Sequence, residues 1–196
     1  MKKITSSQIS AALAALKDAR LLELDTVLDE LSVIEFRSGV YGWWFDEHLP
    51  NVPREGCLER DGRRLLYIGT APVNAKGMTR KRRPPLKSRL WRNHIKGGVR
   101  NSTLRYSVAS LLDDEFRFRV KRDKRNKPSM EREEENRLSR WFLDHAQVSV
   151  FGCLEPWITE EEILRQGPPL PLNISKSSHL FRFELKQYRK ALGSRR

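Results

Sequence analysis

The chain has 196 residues, enough for one full hydrophobic core or for one domain with an appendage. Lys and Arg total 38 against 25 Asp and Glu, a formal net charge of +13, which favours a polyanionic partner such as nucleic acid or an acidic membrane surface. No apolar run is long enough to cross a bilayer, and the polar residues after Met1-Lys2-Lys3 do not resemble a secretory signal. We therefore expect a cytoplasmic protein without a membrane span.

Residues 1–36 have the pattern of two amphipathic helices. Thr5 and Gln8 form a capping-box start for the first, and leucines at helical spacing predict the second. These leucines are Leu21, Leu24, Leu28 and Leu31. We expect this segment to be a helical appendage that packs on a main domain, 37–196, or on another copy of the chain.

Two β-prone runs with Gly and Tyr at fixed places dominate the next part of the chain. They contain Gly39-Val40-Tyr41 and Tyr67-Ile68-Gly69, and the turn-rich segment between them predicts neighbouring strands. A third strand is predicted at 147–151, and alternation also predicts a short strand from Phe116 to Val120. Helices are predicted after Ser102 and from Glu131.

The stretch from Gly62 to Leu112 contains no Asp or Glu. A run of positive charge is commonly only a solvated face or a localisation signal. We prefer phosphate binding because the acid-free stretch is so long and also carries helical pattern. The basic residues assigned to nucleic-acid binding are Lys76, Arg80, Lys81, Arg82, Arg83, Lys87, Arg92, Lys96, Arg100 and Arg105.

Arg89 differs from the other basic residues of this stretch in the direction predicted for its side chain. Pro84-Pro85 opens a helix in which Arg89 lies beside the apolar Leu86/Leu90 face, whereas Arg92 lies farther round towards solvent. An inward guanidinium suits bidentate binding of a phosphate. Arg89 is therefore the arginine best placed to reach inward and clamp a phosphate.

Three consecutive acids, Glu160, Glu161 and Glu162, lie in a predicted helix start. Thr159 with Glu162 has the form of a capping box, and acids in a first turn also stabilise a helix without any function. Relative to the apolar pair Ile163/Leu164, Glu160 points towards the sheet and Glu161 to the side. Glu160 is the predicted metal ligand. Glu161, one position farther along the helix, is the alternative.

The cysteines and histidines indicate no transition-metal site. Cys57 and Cys153 stand alone and are expected to be buried small residues. The histidines, His48, His94, His145 and His179, are scattered along the chain. Any metal is expected to be a hard cation held by carboxylate oxygen.

Taken in chain order, the two Gly/Tyr strand motifs, Arg89 and Glu160 resemble the catalytic domain of the GIY-YIG nucleases. The resemblance extends from Ser38 to Lys190 and includes the tail residues Asn173 and Arg189. It implies an α+β fold with a small, three-stranded, mostly antiparallel sheet flanked by helices, and here a helical, basic insertion at about 100–147. It also implies a Mg²⁺ (or Mn²⁺) site.

The resemblance further implies roles for individual residues. Tyr41 and Tyr67 would lie beside the metal, and one of them would be the general base. His94 follows Arg89 at a position where the family often places a supporting His or Tyr, although a lone buried His is more often structural. For a tyrosine to act as a base, neighbouring cations would have to lower its pKa.

We therefore expect a Mg²⁺-dependent DNA endonuclease. The alternatives are a non-catalytic nucleic-acid-binding protein with the same fold, or a basic interaction module associated with ribosomes. The residues do not distinguish DNA from RNA. One active centre per chain means that cutting both strands needs two visits or a homodimer.

Overall fold

In a computed structural model, the described residues are 5–32, 34, 36–71 and 85–194. The helices are α1 (Ser6–Asp18), α2 (Val27–Ser32), α3 (Leu86–Arg89), α4 (Thr103–Leu111), α5 (Asp113–Phe116), α6 (Arg132–His145), α7 (Pro156–Gln166) and α8 (Phe181–Ser194). A π-helix, Leu90–Ile95, continues α3. The strands are β1 (Leu22–Glu23), β2 (Gly39–Phe45), β3 (Glu59–Arg60), β4 (Arg63–Ala71), β5 (Val120–Arg122), β6 (Pro128–Met130) and β7 (Ala146–Gly152).

The main sheet has five antiparallel strands in the order β1-β7-β2-β4-β3. The prediction of three strands was therefore too low, although the three long strands are the predicted ones. Each additional strand is an edge strand of two residues, Leu22–Glu23 or Glu59–Arg60. Such a short strand has no alternating pattern to reveal it, because hydrogen bonding to a longer neighbour creates it.

The part of the N-terminal segment from Thr5 to Ser32 packs on the sheet and contributes a strand to it. The capping box of Thr5 and Gln8 is confirmed at the start of α1. The predicted second helix is wrong over its first half, because Leu22 and Glu23 pair with Val148 and Gln147 of β7. Only α2 remains of that helix. Docking on a sheet edge has overridden the helical spacing of the leucines.

Core residues cover both faces of the sheet. The central strand β2 is therefore buried along its whole length. Tyr41, Trp43 and Phe45 point to one face, in the larger core cluster. Val40 and Trp44 point to the other face, towards α1 and α7. Side chains alternate along a strand, so a strand covered on both sides is apolar without interruption.

The segment 113–130 differs in part from its prediction. The chain forms the short helix α5 and then β5, which pairs only with β6 in a separate two-stranded sheet. Phe116 and Phe118 stack at 5.3 Å between ring centroids, with the Arg137 guanidinium over both rings. Alternating Phe residues therefore face a cation here and do not lie in one strand.

None of the helices formed by the described residues is long and apolar enough to span a membrane.

Candidate active site at the edge of strand β4

Tyr41 lies in the central strand β2, directly opposite Gly69 of β4. Its ring fills the space that a side chain at position 69 would need. A Cβ on Gly69 would lie 2.5 Å from the Tyr41 hydroxyl oxygen and 2.6 Å from Cζ. The glycine of the second strand motif therefore leaves room for the tyrosine of the first.

The Tyr41 hydroxyl is held by His94, which is 1 % exposed. His94 Nε2 lies 2.7 Å from the hydroxyl oxygen, and Nδ1 lies 2.8 Å from Ser102 Oγ. Ser102 also accepts the Arg105 backbone N–H as N-cap of α4. Burial, with repulsion from Arg89 and Arg105, lowers the pKa of His94 to about 3. His94 is therefore a neutral imidazole, in which one ring nitrogen donates a hydrogen bond and the other accepts one.

Arg89 ends α3 and hydrogen-bonds the Tyr41 side chain. Its Nε is buried and has no hydrogen-bond partner among the described residues. A buried donor without an acceptor is costly, and an anionic oxygen would satisfy it. The inward direction expected for Arg89 agrees with this position.

Tyr67 faces the same side of the sheet as Tyr41 and hydrogen-bonds Thr103. Burial raises the pKa of both phenols, and the negative charge of Glu160 adds to the shift. The Arg89 guanidinium therefore does not bring either pKa below its ordinary value. Desolvation outweighs the attraction of Arg89 because the rings are buried.

Glu160 extends from α7 to Thr70, whose Oγ1 donates to the carboxylate across 3.4 Å. It borders a cavity of about 340 Å³ together with Tyr67, Thr103, Asn173, Lys176 and Arg189. Burial raises the pKa of the Glu160 carboxyl, and Lys176, Thr70 and Arg89 partly offset this. The carboxylate is thus poorly solvated and faces open space, where a cation would compensate its charge.

The two neighbouring acids have other contacts. Glu161 forms an ion pair with Lys176 at 2.7 Å. Glu162 is buried and accepts from Arg165 and from Gln166. The predicted Thr159–Glu162 capping box is wrong because Pro156 starts α7 nearly one turn earlier, with Glu155 at the N-cap.

Asn173 maintains the edge of β4 beside the site. Its side-chain oxygen accepts the Ile68 N–H at 3.0 Å, and its amide donates to the Ile68 carbonyl at 2.9 Å. The Leu172 N–H also donates to the Leu66 carbonyl. One side chain thus bonds the Ile68 backbone as a neighbouring strand would.

Arg105 was predicted to bind nucleic acid, and the structure contradicts this. It is fully buried and donates to the His94 and Ile95 carbonyls, to Glu135 and to Ser139. These bonds join the π-helix, α4 and α6. The sequence did not reveal this role because Glu135 lies 30 positions downstream.

The other predicted basic residues fall into two groups. Lys87, Arg92, Lys96 and Arg100 are exposed, as a phosphate-binding role requires. Lys96 lies over the Trp91 ring, and Arg100 pairs with Asp123 at 2.6 Å. Lys76, Arg80, Lys81, Arg82 and Arg83 lie outside the described residues.

Sequence reasoning missed three contributors to the site: Ser102, Thr103 and Lys176. Ser102 was expected only as an N-cap, and nothing in the pattern linked it to His94. Lys176 has a φ of 63°, and its ammonium donates to Glu161 of α7 at 2.7 Å. Such contacts arise from the fold and have no local signal.

Two tyrosines, a half-buried arginine, a neutral histidine and a desolvated glutamate meet at one sheet edge, an arrangement that fits a nuclease-type catalytic domain. The profile of the GIY-YIG catalytic domain matches residues 39–192, and the chain belongs to this family. No curated protein and no solved structure matched the chain.

Proposed function

We propose that the protein is a Mg²⁺- or Mn²⁺-dependent endonuclease that hydrolyses phosphodiester bonds in DNA. The observation that carries the proposal is the meeting of five side chains from separate elements at the edge of β4. They are Tyr41, Tyr67, Arg89, His94 and Glu160. Phosphate binding alone needs neither a tyrosine pair nor an acid facing the anion.

The donor set fits a hard divalent cation. Glu160 offers a carboxylate at a cavity whose polar lining includes hydroxyl and amide groups and the cations Lys176 and Arg189. Among the described residues, no cysteine or histidine lines this cavity. Mg²⁺ commonly binds through one or two carboxylates and keeps several waters, so one acid is enough when substrate phosphate completes the shell. Glu160 would hold the ion, which supplies positive charge and lowers the pKa of a bound water.

Arg89 would bind the phosphate that is cut. Its guanidinium is permanently charged, and its buried Nε has no partner among the described residues. A phosphate oxygen would supply the missing acceptor. As negative charge grows on the phosphate oxygens during attack, a preorganised donor lowers the barrier.

Tyr41 is the better placed of the two tyrosines for proton transfer. Its hydroxyl lies between the guanidinium of Arg89 and Nε2 of His94. Neutral His94 can orient the hydroxyl by accepting its hydrogen bond, and Arg89 would stabilise the phenolate that forms when Tyr41 gives up its proton. Tyr67 bonds Thr103 and lies beside Glu160, which suits it to orient water or phosphate.

Cleavage of a labelled DNA duplex by Arg89→Lys tests this proposal. The substitution keeps the charge but removes the planar, bidentate fork, so we expect a rate at least about 100-fold below wild type. Arg92→Lys is the matched control, because Arg92 is exposed on the same helical segment and should retain activity within a few fold. An RNA duplex of the same sequence tests the choice of DNA.

Equal cleavage by Arg89→Lys and wild type would contradict the phosphate role. Absence of cleavage by wild type with Mg²⁺ and with Mn²⁺, despite binding of the duplex, would contradict the enzymatic proposal.

A further inference from the structure

A second group of potential metal ligands lies at the opposite end of β2 from Tyr41. Asp46 directly follows β2, His48 lies in the next turn, and His145 is the last residue of α6. Strands β2 and β7 pair Phe45 with Ala146, and the Asp46 N–H donates to the His145 carbonyl. The sheet register therefore joins side chains that are 99 positions apart.

The ligand atoms have the spacing of a metal site. Asp46 Oδ2 lies 2.9 Å from His145 Nδ1 and 3.3 Å from His48 Nδ1, and one atom from each residue lies within 4.8 Å of the others. In a tetrahedral site with bonds of about 2.0–2.1 Å, neighbouring ligand atoms are about 3.3 Å apart. Only small side-chain adjustments would bring all three onto one ion.

The surroundings hold these groups in position. The His48 N–H donates to Asp46 Oδ1 at 3.0 Å, so the other carboxylate oxygen faces the imidazoles. The two imidazole rings lie 4.6 Å apart, and the Trp141 ring lies 4.9 Å from His145. The His48 side chain is 61 % exposed, whereas Asp46 and His145 are about one-fifth exposed. The Trp141 ring thus supports the group on the His145 side, and the group is open to solvent on the His48 side.

We propose that Asp46, His48 and His145 form a Zn²⁺ site separate from the nuclease centre. Two imidazoles and one carboxylate suit a borderline transition cation better than Mg²⁺, and three protein ligands leave one position for water. At about 3.3 Å per residue, the five positions from Tyr41 to Asp46 place the two sites about 16 Å apart. The ion would join the end of β2, the following turn and the end of α6.

The histidines were expected to indicate no transition-metal site because they are scattered in the sequence. His48 and His145 are instead neighbours in the fold. The direct His–Asp contacts also fit ion pairs without any metal, and the experiment must separate these two explanations.

Calorimetric titration of ZnCl₂ into the full chain, stripped of metal and without nucleic acid, tests the proposal at neutral pH. We expect one Zn²⁺ per chain and an increase in melting temperature. His48→Gln and Asp46→Asn should each weaken Zn²⁺ binding by at least about 10-fold, the loss that even an outer-shell partner can cause. His179→Gln is the matched control and should bind like wild type, since His179 lies outside the group.

Co²⁺ substitution provides a second measurement. Visible ligand-field bands without a sulfur charge-transfer band would show nitrogen and oxygen ligands and exclude Cys57 and Cys153 as the binding groups. No Zn²⁺ binding by wild type, equal binding by His48→Gln, or a sulfur band would each overturn the proposal. A cluster that only contributes pH-dependent ion pairs would give the first of these results.

Discussion

At the scale of single residues, the site depends on a glycine and a tyrosine that share one space. Tyr41 and Gly69 are register partners, and the ring occupies the position of the missing side chain. The two motifs and their place on neighbouring strands could be found in the sequence, but the register that sets Tyr41 opposite Gly69 could not. The chemical requirement for glycine becomes clear only when the strands are aligned.

We predict that Gly69→Ala abolishes most nuclease activity and lowers the free energy of unfolding by about 1–3 kcal/mol. The added methyl would overlap the buried Tyr41 ring, and overpacking of this kind costs about that much. Urea unfolding and plasmid nicking measure the two effects. Gly62→Ala is the control: its φ of 72° adds strain, but no atom lies within 4 Å of the new methyl. Loss of activity in the control as large as in Gly69→Ala would contradict this explanation.

The buried, neutral His94 makes the free energy of unfolding depend on pH. Its pKa is lowered from 6.5 to about 3 in the folded chain, so below about pH 6.5 the unfolded chain binds a proton that the folded chain does not. The stability that His94 contributes is complete above pH 6.5 and is lost as pH falls towards 3, by roughly 1 kcal/mol per pH unit.

His94→Gln removes this titration while it keeps a polar side chain of similar size. We expect the difference in unfolding free energy between wild type and variant to narrow as pH falls from about 7 to about 5. Urea unfolding at several pH values measures it. A difference that stays constant over that range would show that His94 is not held neutral.

At the scale of elements, a π-helix brings Arg89 and His94 to one site. Five residues apart in a regular α-helix, they would point about 140° away from each other. The Lys96 N–H bonds the Trp91 carbonyl, a bond spanning five residues that widens the turn. Single π turns of this kind occur frequently at functional sites. The sequence predicts a helix here, but no residue pattern predicts its π form.

Arg105 holds the C-terminal end of the π-helix in place. It donates to the last carbonyls of the π-helix and pairs with Glu135 at 2.9 Å. We predict that Arg105→Ala lowers the free energy of unfolding by about 3–5 kcal/mol, since it leaves buried acceptors without their cation. Arg100→Ala, which breaks an exposed pair with Asp123, should cost at most about 1 kcal/mol. Similar costs in urea unfolding would contradict a structural role for Arg105.

Element prediction succeeded where the local pattern determines the structure. The capping box at Thr5 and the N-cap at Ser102 were predicted because their hydrogen bonds stay within one turn. Prediction failed at Leu22, which joins a sheet edge, and at Thr159, where Pro156 starts the helix earlier. In both cases a competing interaction outweighed a valid local pattern.

At the scale of the whole molecule, one sheet carries a separate layer on each face. Helix α1 places Ile9 and Leu16 against Val40 and Trp44, and α7 completes that layer. The opposite face holds Tyr41, Tyr67 and the helices with Arg89 and His94. Glu160 comes from α7 and borders the cavity at the β4 edge, so the site depends on both layers.

The directions of several candidate side chains were predictable from the sequence, but the environment of those side chains was not. Direction on a helical wheel separated Glu160 from Glu161 and Arg89 from Arg92, because each choice depends on local geometry. The raised pKa values of the tyrosines and the burial of Arg105 depend on what packs around them. Residues far apart in sequence determine those properties.

Nicking of supercoiled plasmid is the most direct test of the proposed catalytic centre. With Mg²⁺ we expect wild type to nick DNA and EDTA to stop it. Glu160→Gln should nick at least about 100-fold more slowly while it binds DNA as well as wild type, because only the charge that holds the cation is removed. Glu161→Gln, which loses an ion pair with Lys176 but leaves the Glu160 carboxylate in place, should stay within a few fold of wild type. Nicking by Glu160→Gln at the wild-type rate, or no nicking by a wild-type protein that binds the plasmid, would contradict the account.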